Sequence, residues 1–297
     1  MRLFWSVAFL SVATLGCEVL VPDNDDNNGS FPDAGADVDA EVDADDFVPP
    51  EPVEARVRAA DAMPQVRVEA GSFDMGREGA GDEMPVRSVT ISAAFWMDRH
   101  EVTVGQWQSC VDGGGCDAGL AGTWAELGSC NWKSEFGTEV PMNCVGSIGA
   151  EAYCTHVGGE LPTEAQWEYA ARGTDGRGWA WGDDAPDCRT TVWSNPGECD
   201  KSGSDVVEAR VRDTSPWGVR DMGGNVREWV QDSYLADAYE MLPATDPVYL
   251  EESTHRVHRG GYFGDRNIDN LRATFRHRSF PDTRQPQQGF RCIGGQP

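Results

Sequence analysis

Between Glu18 and Ala55 the chain has no lysine and no arginine. Asp dominates there, with Pro, Gly, Ala and Asn between. Such a stretch cannot bury enough apolar surface to offset its ordering entropy, so it reads as a disordered acidic spacer. Past the first residues, no apolar run is long enough to cross a bilayer. No Gly-rich phosphate loop occurs, which excludes the P-loop mode of nucleotide binding. There is no C-x-x-C pair and the five histidines are scattered, so a structural zinc site is not expected. Nothing repeats, and no second linker appears. The formal net charge is −26, about half of it in the acidic spacer, which argues against nucleic-acid binding and says little about the rest.

What is present begins at the N-terminus. Arg2, the apolar stretch Leu3 to Val12 and then Ala13-Thr14-Leu15-Gly16-Cys17 read as an export signal, residues 1–17. The Gly-Cys ending looks like a bacterial lipobox with Cys17 as the acylated residue, although Thr14 stands where a leucine is usual. An ordinary cleaved signal peptide is the alternative. Residues 18–57 then act as a self-repelling tether between an anchored Cys17 and a distal domain, 58–297. The expected location is the cell envelope, with membrane contact through the anchor. Eight further cysteines in an exported chain read as a disulfide set of four bridges at most.

Within the domain, Val66-Arg67-Val68 and Gly71 to Gly76 predict two strands around a turn. Val86 to Asp98 predicts one strand of a half-buried sheet. Thr103 with Gln106 is a capping box, so a helix should start there and run to about Val111. Cys110 and Cys116 flank a glycine-rich turn and are close enough for a local bridge; Cys130 and Cys144 bracket a polar loop and make a second plausible pair. Ser147 to His156 predicts another helix, ended by Gly158-Gly159. Thr163 with Gln166 is a second box, opening a short helix. Beyond Arg172 the chain is loop-rich, with Trp179, Trp181, Trp193 and Trp217 expected to pin loops to the core.

Several segments follow one another along the chain: Gly71-Ser72-Phe73-Asp74-Met75-Gly76, Glu101 to Trp107, Leu161 to Arg172, Trp181-Gly182, Asp221 to Trp229, Arg259-Gly260-Gly261 and Gly289-Phe290-Arg291-Cys292. Each alone is weak; together they resemble the formylglycine-generating enzyme family, also called sulfatase-modifying factor. The resemblance implies an α+β fold, the family's loop-rich variant of the C-type-lectin-like fold. In the family's enzymes two cysteines bind copper(I), and dioxygen oxidises a sulfatase cysteine to formylglycine. Thiolates are needed because they are soft ligands. Aligned on Gly260-Gly261 and Arg278-Ser279, those two positions hold Asp265 and Asn270, neither of them soft. The family's serine after the double glycine is Tyr262, and a histidine after the first cysteine is Arg266. Copper is therefore not expected, and no residue is assigned a catalytic role.

Other features of the resemblance survive. Cys154 and Cys292 match a family disulfide; a second is lost from both ends, at Ala171 and Phe275, and Cys188 with Cys199 is a candidate replacement. Asp221, Gly224, Val226 and Glu228 match a family calcium loop, with carboxylates and carbonyls suited to a hard cation. A weaker second ion position involves Asp205 and Val192, with Thr191 in place of an asparagine. The C-terminal run carries eight arginines, from Arg256 to Arg291. They either pair with the domain's acids or form a ligand groove around Tyr262, Asp265, Arg266, Asn270 and Arg276. The first expectation is a non-catalytic binding or structural module that meets a protein or peptide ligand at the envelope. The alternative is a formylglycine-generating oxidase or another oxidative metalloenzyme of the family.

Overall fold

The computed structural model describes residues 47–199 and 201–294. Cys17, the stretch read as an export signal and residues 18–46 of the acidic tether lie outside the described residues. No helix among them is long and apolar enough to cross a membrane.

Among the described residues, three sheets and five short α-helices form the framework. The strands are β1 (Ala55–Val57), β2 (Pro64–Val68), β3 (Gly71–Met75), β4 (Arg87–Ile91), β5 (Phe95–Asp98), β6 (Gly159–Glu160), β7 (Arg227–Ser233), β8 (Arg256–Arg259), β9 (His277–Ser279), β10 (Gln288–Gly289) and β11 (Ile293–Gly294). The helices are α1 (Val104–Asp112), α2 (Trp124–Leu127), α3 (Ser147–His156), α4 (Glu164–Arg172) and α5 (Ala238–Met241). One sheet has the order β1-β2-β5-β11-β6, another β10-β7-β8-β9, and β3 pairs with β4 alone. This is the loop-rich α+β arrangement expected.

Local chemistry accounts for the helix starts. Thr103 and Thr163 each accept from the backbone N–H three residues on, and Gln106 and Gln166 answer through the cap's own N–H. The Val86 to Asp98 stretch differs from expectation: it forms two strands in two sheets. Asp246 takes both the backbone N–H and the hydroxyl of Ser92, drawing the chain out of the ladder between β4 and β5. β1 lies inside the stretch assigned to the tether. Its three residues pair antiparallel with β2, and Arg56 reaches Gln65 Oε1 at 2.9 Å; so short a strand leaves no periodic signal.

Two apolar clusters fill the interior. One gathers β2–β5, α4 and β8 around Trp167, Tyr169 and Tyr239. The other centres on Trp107, whose ring lies 6.2 Å from Tyr153 and 6.4 Å from Phe290. Four disulfides staple the loops: Cys110–Cys116, Cys130–Cys144, Cys154–Cys292 and Cys188–Cys199. Cys154–Cys292 ties α3 to the C-terminal strand across 138 residues.

Candidate functional site

The site is built where β7 begins and β8 ends, beside two crossing loops. Gly260 (φ +78°) and Gly261 let the chain after β8 pass against the Met222–Gly223 backbone. A Cβ on Gly261 would come within 2.6 Å of the Gly223 carbonyl oxygen. The loop then turns at Tyr262, with Phe263 N–H bonded to Asn225 O, and delivers Asp265 almost fully buried at 4 % exposure. Asp265 Oδ1 accepts from Arg227 Nη2 at 2.6 Å and from Asn270 Nδ2 at 2.8 Å; Oδ2 accepts from Tyr262 N at 3.0 Å. The Arg227 guanidinium lies 4.6 Å over the Tyr262 ring. Burial pulls Arg227 below its ordinary pKa, against the opposing pull of Asp265.

Chemically, this is a closed polar knot. The carboxylate is engaged by three donors, one of them charged, and the amide at position 270 donates into it. Neither side chain is a soft donor. Nothing in the pair can replace two thiolates around copper(I).

The second group sits on the loop before β7. Asp221 and Asn225 both have positive φ, +59° and +63°, which bends Gly223–Gly224 tightly. Asp221 Oδ2 accepts from Glu208 N at 2.5 Å. Glu228 Oε1 accepts from Arg291 Nη2, and Oε2 from Arg291 Nε and Trp167 Nε1, at 2.6, 2.6 and 2.7 Å. Three of about four acceptor positions on that carboxylate are filled, which leaves one on Oε1. Burial first and Asp213 second raise Asp221 to about 7; burial raises Asp213 to about 6. Asp221, the open position on Glu228 and the carbonyls of Gly224 and Val226 are oxygen donors of the kind a hard cation takes. At the second position, Asp205 is paired with Lys201 (2.8 Å) and Arg210 (3.3 Å), and the Val192 carbonyl accepts from Asn225 N at 2.8 Å. Among the described residues, no group of three His, Cys, Asp or Glu side chains stands ready to hold a metal.

The comparisons with known proteins can be set against this geometry. Residues 50–295 match the model of the sulfatase-modifying factor enzyme 1-like domain. The chain belongs to that family. The serine/threonine-protein kinase Pkn1 of Chlamydia trachomatis serovar L2 is 31 % identical over 238 residues, covering 76 % of this chain and 37 % of the kinase. The chain thus spans well under half of that relative. The formylglycine-generating enzyme of Streptomyces coelicolor is 29 % identical over 277 residues, covering 77 % of this chain and 88 % of the enzyme. In three dimensions, PvdO from Pseudomonas aeruginosa superposes with a TM-score of 0.70 at 22 % identity, over 83 % of this chain and 99 % of that one. The α+β, C-type-lectin-like fold of the sulfatase-modifying factor family is therefore the fold of this chain.

Within that family fold, the residues expected to line a groove separate. Tyr262, Asp265 and Asn270 come together, and Arg266 is exposed beside them. Arg276 is buried elsewhere, with Nε and Nη2 on Glu164 at 2.7 and 3.0 Å. There it joins Arg259, which bridges Glu164 and Glu168 at 2.7 Å each. Burial alone would raise Glu164, but Arg276 and Arg259 outweigh it and hold the carboxyl below its ordinary value. Of the eight C-terminal arginines, Arg259, Arg272, Arg276 and Arg291 are thus buried against acids. Sequence reasoning missed Arg227 and Glu101. Arg227 directly precedes Glu228, and Glu101 directly precedes a valine and a capping threonine; each was read only as part of a longer segment.

Proposed function

We propose that this chain is a non-catalytic member of the sulfatase-modifying factor family, a binding or structural module held at the cell envelope. The observation that carries the reading is the Asp265–Asn270 hydrogen bond. Where the family's oxidases need two thiolates, this chain has a buried carboxylate closed by Arg227, Asn270 and Tyr262. The contact surface is the exposed rim of that knot, Arg266 to Asp269 with Tyr262, and the ligand is a protein or peptide. A lipid on Cys17 would anchor the module, with the acidic tether as spacer. A calcium ion on the Asp221–Glu228 loop would serve structure.

The likeness to a formylglycine-generating enzyme keeps a second reading open to test: oxidation of a sulfatase-type cysteine by another ligand set. The purified chain is incubated with copper(I), oxygen and a Cys-x-Pro-x-Arg peptide. Mass spectrometry follows the peptide and chelator competition follows the copper. The expected result is an unchanged peptide and no tight copper. Conversion of the peptide cysteine would overturn the non-catalytic reading.

A further inference from the structure

A cavity of about 820 Å³ opens between the turn joining β1 to β2 and the first turns of α1. That is within the size of small-ligand sites, roughly 300–1,000 Å³. Small residues make the room: Ala59, Ala60 and Ala62 line the turn, and Gly105 the helix. A Cβ on Gly105 would stand 3.1 Å from Thr138 Cβ, so α1 packs closely against the loop that carries Glu139. The turn is held by the completely buried Arg58, which pairs with both Asp61 and Asp98. Gln106 Nε2 reaches the Asp61 carbonyl at 3.3 Å and ties the helix to it. The walls are thus braced from within the protein.

His100 lines the same cavity and is 8 % exposed. Burial holds it below its ordinary pKa, against the pull of the Glu101 carbonyl and Glu208, so the ring is neutral. Nδ1 meets the Glu101 carbonyl at 2.8 Å. A carbonyl can only accept, so Nδ1 carries the proton and Nε2 keeps its lone pair. Nε2 has no hydrogen-bond partner among the described residues yet is not sealed from solvent, so it opens to the cavity. Glu101 itself is completely buried, with neither carboxylate oxygen partnered, and does not line the cavity. Two other carboxylates do. Asp61 is fully engaged: Oδ1 takes Arg58 Nε and Met63 N, and Oδ2 takes Arg58 Nη2 and Tyr153 Oη, which fills its acceptor positions. Glu139 is exposed and accepts from its neighbour Thr138 Oγ1 alone, at 3.2 Å. Among the described residues that line the cavity, none is a lysine or an arginine. An imidazole lone pair and an open carboxylate in one cavity suit a ligand that brings N–H donors and positive charge. We propose that this cavity binds a protonated amine or guanidinium group, with Glu139 as counter-ion and His100 Nε2 as a fixed acceptor. No residue of the Asp265 knot lines it, and the proposal does not rest on the non-catalytic reading.

The test uses the intact chain, titrated by calorimetry with three probes: a short neutral peptide bearing one lysine, the same peptide with norleucine in its place, and spermidine. The lysine peptide is expected to bind about tenfold or more tightly than the norleucine peptide, the scale of one charge-assisted hydrogen bond. Glu139→Gln should lose about the same factor. Glu135→Gln, exposed nearby but outside the cavity, should bind like the parent. Equal losses in the two variants would mean that only the chain's overall negative charge attracts the amine, and would overturn the site. Equal binding of the two peptides, or no binding of any probe, would overturn it as well. Spermidine bound with neither peptide would keep the site and assign it to free polyamines. His100 is read without substitution, from the nitrogen resonances of the isotopically labelled ring. An N–H donated by the ligand should shift Nε2 and leave Nδ1 in place; an unmoved Nε2 at saturation would overturn its role as acceptor.

Discussion

Asn270 Nδ2 donates to Asp265 Oδ1 at 2.8 Å, and the same oxygen holds Arg227 at 2.6 Å. The two contacts are unequal. Asp265→Ala would leave the Arg227 guanidinium, 13 % exposed, without its carboxylate, and is expected to cost about 3 kcal/mol. Asn270→Ala removes one neutral donor from a carboxylate that keeps its other partners, and should cost about 1 kcal/mol. Urea unfolding of both variants checks the order. Equal losses would mean that Arg227 finds water or another acid when Asp265 is gone.

The buried pairing of α4 with β8 gives a second expectation. Arg259 uses both ends of its fork, one on Glu164 and one on Glu168, and its side chain is wholly buried. Lysine offers a single point charge and cannot span two carboxylates. Arg259→Lys should therefore lose most of what Arg259→Ala loses, about 3–5 kcal/mol. A lysine variant within about 0.5 kcal/mol of the parent in denaturant unfolding would show that the fork geometry is not what stabilises the pair.

How much of this could be read beforehand depends on the range of the interaction. The caps at Thr103 and Thr163 were legible because each box closes within three residues. The order of the family segments made the fold legible. The break between β4 and β5 was not legible, because Asp246, which causes it, lies 154 residues from Ser92. Arg276 was left between pairing with an acid and lining a groove because a sequence shows a charge but not its burial; Glu164, on another element, takes it inward. Glu101 was overlooked for the same reason: only the packed structure shows that its oxygens meet nothing.

The disulfides should differ in worth according to the loops they close. Cys154–Cys292 spans 138 residues and Cys110–Cys116 only 6. On chain-entropy grounds, replacing the first pair by alanines should cost about 5 kcal/mol and the second about 2 kcal/mol. Guanidinium titrations of the two double variants test the ranking. A reversed order would locate the long bridge's effect in residual structure of the unfolded chain rather than in loop closure.

Acid should weaken the β7–β8–β9 sheet through its histidines. His258 is buried edge-on to Trp229 at 5.0 Å, stacks on His277 at 5.4 Å, and meets Ser279 Oγ through Nε2 at 3.0 Å. Burial first and the Arg227 charge second hold both histidines well below their ordinary pKa. They stay neutral in the folded chain, whereas the unfolded chain protonates them near pH 6.5. Below that pH the unfolded state binds more protons, so stability falls as pH drops, by up to about 1.4 kcal/mol per unit for each histidine. The buried carboxylates oppose this trend. Asp213, raised to about 6, and Asp221 and Asp232, raised to about 7, favour the folded state as pH falls towards 4. The histidine contribution is therefore isolated as a difference between parent and His277→Gln. Between pH 6.5 and 5.5 the variant's stability should fall less steeply, by about 1 kcal/mol over the unit. Parallel curves would mean that His277 takes up its proton without unfolding, and that the stacked pair tolerates a charge beside Arg227.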